Sequence, residues 1–203
     1  GGLGAHSISN TKILKKLDLE KILRIKLKKK IILATFHPVT LEKNQSINQI
    51  KNLIKFLNRM NEFTIIITSP NFDNETVDLK KEILDFVKKK NNVSYYDSLG
   101  NKAYISLMKI SYLVIGNSSS GILETPSFGI RTINIGNRQN GRIIPRNVIN
   151  CDYNLSSINK AFIKIKKLPI SKSNLFYKKN TPIKIAKKIL NFKFNLKKVF
   201  FDI

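Results

Sequence analysis

The chain has 203 residues, 42% apolar and 25% charged, the values of an ordinary globular domain long enough to bury a core without disulfides or metals. Its single cysteine, Cys151, excludes a disulfide framework and a zinc finger, and its longest apolar runs, Ile31–Phe36 and Phe63–Thr68, are too short to span a bilayer. The unusual quantity is charge: 37 Lys and Arg against 13 Asp and Glu leave a net +24, which points to nucleic acid, an anionic membrane or a phosphorylated ligand.

Only six of the basic residues are arginines. The lysines recur from Lys12 to Lys198 without the aromatic interleaving of a nucleic-acid groove, so they read as solvated helix faces. We therefore expect neither nucleic acid nor a membrane as a partner. Four of the six arginines fall between Arg131 and Arg146, and that cluster is the one that suggests an anion.

The first residues, Gly1-Gly2-Leu3-Gly4, carry neither an initiator methionine nor a hydrophobic leader, as expected of a processed product, an engineered piece or a fragment of something longer. Residues 1–30 are expected to form a lead-in, with a helix in the Lys/Leu/Ile-rich stretch Lys15–Lys30 covering one sheet edge. A basic membrane-surface helix is the alternative for that stretch. Residues 31–203 then make the domain proper. Strands are predicted at Ile31–Phe36, Phe63–Thr68, Val93–Tyr96, Tyr112–Ile115, Thr132–Ile135 and Val148–Asn150.

Between them, Ile47, Ile50, Leu53, Ile54 and Leu57 recur every three or four residues, as do Leu79, Ile83, Phe86 and Val87; both patterns predict amphipathic helices. A shorter helix is expected at Ala103–Lys109, and two more at Ser156–Lys166 and Pro182–Phe194, with Pro182 at a first helical position. Nearly all-apolar strands separated by single helices predict an α/β fold, a doubly wound parallel Rossmann-like sheet covered on both faces.

In such sheets ligands bind beyond the carboxyl ends of the strands. The first run ends in Thr35-Phe36-His37-Pro38-Val39-Thr40, which sets His37 just past a buried strand; its structural and ligand-contact readings stand about even. The second ends in Ser69-Pro70-Asn71-Phe72-Asp73, where Asn71 and Asp73 would ordinarily make a turn and cap a helix. The fourth is the strongest local signal: Val114-Ile115-Gly116-Asn117-Ser118-Ser119-Ser120-Gly121-Ile122 runs from a strand into a Ser/Gly turn and a helix. Free N–H groups at a helix start, with small hydroxyls, can cradle an anion, although a plain N-cap is the competing reading. The stretch is neither a dinucleotide fingerprint nor a P-loop nor a nucleophile elbow. Glu124, one turn on, suits sugar hydroxyls better than phosphate. The fifth run ends in Ile135-Gly136-Asn137-Arg138-Gln139-Asn140-Gly141-Arg142, an arginine-bearing glycine-flanked loop that fits a diphosphate.

Together with Pro126–Gly129, these segments resemble, in matching order, the UDP-N-acetylglucosamine 2-epimerases, from about Gly2-Leu3-Gly4 to about Ile189. The likeness is greatest to the hydrolysing branch of sialic and related nonulosonic acid biosynthesis. The non-hydrolysing branch has His followed by arginines where this chain has His37-Pro38-Val39-Thr40.

The resemblance implies the C-terminal, UDP-binding half of a two-domain GT-B enzyme. In it Ser118, Ser119 and Gly121 belong to the diphosphate turn, Glu124 takes the ribose hydroxyls, and Asn71 and Asp73 fall at substrate-contacting positions. Tyr104 matches an aromatic near the uracil, and His37 and Arg138 approach the phosphates, with His37 the catalytic candidate. It implies no cofactor and no metal, a cytoplasmic location, and the N-terminal half of the same enzyme as a partner carrying the acid–base carboxylates. A homodimer or homotetramer is left open. This chain alone is expected to bind UDP weakly and not to turn over. The competing readings are a non-hydrolysing UDP-N-acetylglucosamine 2-epimerase or another GT-B nucleotide-sugar enzyme, such as a glycosyltransferase, and a non-catalytic basic module that binds nucleic acid or a membrane.

Overall fold

Six short strands form the frame: β1 (Ile31–Thr35), β2 (Thr64–Thr68), β3 (Val93–Tyr96), β4 (Leu113–Gly116), β5 (Thr132–Ile135) and β6 (Val148–Cys151). In the computed structural model, which describes residues 1–39, 42, 45–71, 76–170 and 172–192, they make one sheet in the order β3-β2-β1-β4-β5-β6. Every pairing is parallel. This is the doubly wound order, and the chain direction across the sheet reverses between β1 and β4.

The alternation of side chains along each strand gives the sheet two buried faces. Ile32 and Ala34 of β1 point into a core with α3 (Ser46–Leu57), α4 (Thr76–Lys88) and α7 (Leu155–Ile165), where Phe56 and Phe63 pack edge-on around Phe162. Ile31 and Leu33 point the other way, toward α2 (Lys16–Leu23) and α5 (Gly100–Ile110). The central strands β1, β2 and β4 are buried along their whole length and read as nearly unbroken apolar runs, whereas the edge strands β3 and β6 are only partly buried.

The differences from expectation lie at element ends and in the covering helices. Phe36, Phe63 and Tyr112 fall outside the strands although they are apolar, and β6 extends to Cys151. The basic stretch forms only α2, which stops at Arg24 in a left-handed conformation (φ 54°). It packs beside α5 on a face of the sheet instead of covering an edge. Helix α1 (Leu3–Asn10) was not anticipated; it buries only Ala5 and Ile8 and is held by packing against α6 (Ser120–Leu123) and α8 (Thr181–Leu190).

The helix expected after the serine turn is the single turn α6, followed by a 3-10 turn at Thr125–Ser127. Pro126 has no N–H with which to continue an α-helix. Pro182 sits in the first turn of α8 but not at its first residue, Thr181, and the helix ends at Leu190, short of the expected end at Phe194, a position that lies outside the described residues. Helix α8 buries only Thr181 and leaves Ile183, Ile189 and Leu190 exposed.

A single glycine makes the centre of the sheet possible. Gly116 ends β4 at φ 133°, and a Cβ there would lie 1.9 Å from the Thr35 carbonyl oxygen of β1. With no side chain, β4 can close on β1 and turn the next residue back beneath it.

A candidate ligand cleft at the switch point

Where the strand order reverses, the carboxyl ends of β2, β1 and β4 stand side by side, with Thr35 in register with both Thr68 and Gly116. A cleft of about 450 Å³ opens above them. His37, Asn71, Tyr104, Ser118, Ser119, Glu124 and Arg138, all singled out in the sequence, line it, together with Ser120 and the loop Asp97–Asn101. A second depression of about 370 Å³ along β6 and α7 holds none of them.

Gly121 is the exception among the described candidates. It lies buried beneath the turn, where a Cβ would come within 2.9 Å of Thr132 Cγ2, so its lack of a side chain serves the packing of α6 on β5. Asp73 lies outside the described residues.

The cleft is organised by a residue the sequence reading passed over. Asn117, fully buried, accepts from the His37 N–H on Oδ1 (2.7 Å) and donates from Nδ2 to the His37 carbonyl (2.8 Å). Its own N–H donates to Thr35 O at 3.1 Å. Its carbonyl accepts from Arg138 Nη1 (3.2 Å) and from Nε2 of the buried Gln139 (2.8 Å). One asparagine thus ties the ends of β1 and β4 and the loop after β5 together. The signal was present: an Asn between a strand-ending glycine and a serine run, where its short amide can bond neighbouring backbone. What the sequence lacked was the partner, His37, 80 residues away. The Asp97–Asn101 loop was passed over for a similar reason, since nothing in its composition marks it as part of a site.

His37 is almost wholly buried, and its Nδ1 accepts from the Asn71 N–H at 3.0 Å. An imidazole accepting at Nδ1 carries its proton on Nε2. Across the cleft the hydroxyls form a chain: Tyr104 Oη and Ser120 Oγ are 2.7 Å apart, and Ser120 Oγ donates to Ser118 Oγ at 3.1 Å. Burial pushes the Tyr104 phenol above its ordinary range, which keeps it protonated and a donor.

The backbone N–H groups of Ser118, Ser119 and Ser120 meet no acceptor among the described residues, and they open the α6 turn. Glu124 closes the other end. No donor among the described residues reaches its carboxylate, and burial raises its pKa above the usual value. Unpaired N–H groups and an arginine at one end, with an unpaired carboxylate at the other, suit a ligand that is anionic at one end and hydroxyl-bearing at the other.

Strand order and cleft position define a Rossmann-type domain with a candidate ligand cleft at its switch point. Residues 3–190 match the UDP-N-acetylglucosamine 2-epimerase family, and the chain belongs to that family, corresponding to its C-terminal half. The GDP/UDP-N,N'-diacetylbacillosamine 2-epimerase (hydrolyzing) of Campylobacter jejuni is 41% identical over 167 residues, which are 81% of this chain and 43% of that protein. The polysialic acid biosynthesis protein P7 of Escherichia coli is 30% identical over 218 residues, spanning 100% of this chain and 54% of its own. In fold, the chain matches the S. aureus MnaA–UDP co-structure with a TM-score of 0.67 at 14% identity, covering 93% of this chain and 52% of that one. The chain spans about half the length of the curated relatives it matches. Among the described residues no helix is long and apolar enough to cross a membrane.

Proposed function

We propose that the cleft binds the UDP portion of a UDP-amino sugar, and that the chain is the UDP-binding half of a hydrolysing UDP-N-acetylglucosamine 2-epimerase. That enzyme would convert UDP-N-acetylglucosamine, or a related UDP-amino sugar of the diacetylbacillosamine type, to the 2-epimeric free sugar and UDP. The observation that carries this reading is the meeting of Ser118, Ser119, Arg138, His37 and Glu124 in one cleft at the switch point of a chain in this family. The 41% identity to a hydrolysing relative supports that branch.

In this reading the diphosphate lies on the serine turn, where the N–H groups of Ser118–Ser120 and the Arg138 guanidinium meet it. The ribose hydroxyls donate to Glu124. Tyr104 holds the turn through Ser120 and borders the nucleoside. Asn71 fixes His37, whose Nε2 proton serves the departing diphosphate. The sugar C1–O bond breaks with loss of the C2 proton, releasing UDP and leaving a glycal. Water then adds across C1=C2, its hydroxyl to C1 and a proton to C2 on the opposite face.

The carboxylates that move the C2 proton belong to the N-terminal half, so the isolated chain binds UDP without turnover. The exposed apolar row Ile183, Ile189 and Leu190 on α8 supports a further element covering that helix. We place the enzyme in the cytoplasm.

Calorimetric titration of this chain with UDP tests the reading. Wild type should bind, and Arg138→Ala should bind roughly tenfold or more weakly, as expected for one lost charge-assisted contact. Absence of binding at millimolar UDP would remove the site assignment.

A further inference from the structure

Helix α1 lies behind the cleft wall and meets it at Glu124 through a residue with no side chain. Gly4 lies in the first turn of α1, against the carboxylate of Glu124: a Cβ there would fall 2.8 Å from Glu124 Oε1 and 3.5 Å from both Cδ and Cγ. The helix is anchored on both sides of this point. Gly2 N–H donates to Phe176 O at 2.7 Å, Ala5 and Ile8 are buried, and Ser7 Oγ accepts from Asn101 Nδ2 at 3.3 Å. Asn101, like Glu124, lines the cleft. No hydrogen bond or ion pair among the described residues holds the Glu124 carboxylate, so its close contact with α1 bears on where it can sit.

Glycine is also a poor helix former, and alanine at this position would favour the helix. A residue that opposes local propensity while giving room to a ligand-facing group is a mark of functional constraint. We infer that Gly4 is a positioning residue for nucleotide recognition: by withholding a Cβ it lets α1 seat the Glu124 carboxylate at the depth where it accepts from the ribose hydroxyls. This rests on the reading of the cleft as a UDP site.

The test is calorimetric binding of UDP and of 2′,3′-dideoxy-UDP to wild type, Gly4→Ala, Glu124→Gln and the double variant Gly4→Ala/Glu124→Gln. In Gly4→Ala, UDP should bind roughly tenfold more weakly, the factor for one lost charge-assisted hydrogen bond. The dideoxy ligand, which has no hydroxyls for Glu124, should bind as it does to wild type, and this also reports that the variant is folded. In a Glu124→Gln background the glycine substitution should add nothing further. Undiminished UDP affinity in Gly4→Ala, or an equal loss for both ligands, would overturn the inference while leaving the UDP reading intact. If wild type itself bound both ligands equally, the ribose role of Glu124 would fall and the inference with it.

Discussion

Truncation of Asn117 to alanine removes the two bonds that its side chain makes with the main chain of His37, at 2.7 and 2.8 Å, from a site with no solvent exposure. Deleting one partner of a buried hydrogen bond costs about 1–3 kcal/mol, because the group left behind loses its compensation for desolvation. Two such losses come to about 2–6 kcal/mol, the lower figure applying if water enters the vacated space and recovers part of the loss. Against a total stability of about 5–15 kcal/mol this is a large fraction. With a urea m-value of about 2 kcal/mol/M, the unfolding midpoint of Asn117→Ala should fall by roughly 1–3 M. The main-chain carbonyl that receives Arg138 and Gln139 is retained in the variant, so weaker UDP binding by its folded fraction would report displacement of the β1 and β4 loops. A midpoint within about 0.3 M of wild type would show that Asn117 does not clamp the cleft.

Glu124→Gln should trade binding for stability. Burial raises the carboxyl pKa, so the folded state favours the protonated form and ionisation opposes folding. The variant's stability advantage should be absent below the ordinary carboxyl pKa, open as pH rises through the raised value and persist at neutrality, while UDP affinity falls; equal stability curves across this range would count against an unpaired carboxylate. Gly116→Ala should cost at least about 3 kcal/mol, since its Cβ would overlap the Thr35 carbonyl at a positive φ, and a thermal midpoint close to wild type would contradict the close approach. The thiol of Cys151 is pushed up to about 12, chiefly by burial, so Ellman's reagent should label it slowly at pH 8 and faster as the pH climbs or urea unfolds the chain. Rapid labelling of the folded protein at pH 8 would refute that placement.

The net charge of +24 takes a different meaning once the fold is seen. Family membership displaces the basic-module reading, and the arginines clustered around β5 do not act as one patch. Arg138 lines the cleft, whereas Arg131 turns away and donates to the carbonyls of Ile165 and Leu168 behind α7. A run of arginines in sequence is therefore divided between a ligand site and a structural brace.

The strands, their parallel pairing and the loops that carry the cleft were legible in the amino-acid order, because a sheet buried on both faces demands continuous apolar runs and a switch-point site demands polar residues just beyond them. His37, Ser118, Glu124 and Arg138 follow from that logic. Asn117, Gln139, Gly4 and helix α1 do not. Their roles consist of contacts with residues far along the chain: His37 with Asn117, Gln139 with the Asn117 carbonyl, Gly4 with Glu124. Periodicity reports which side of an element is buried and local composition reports where it turns, but neither encodes which distant backbone it meets. Packing decides that, and in this protein packing decides how the cleft is held in shape.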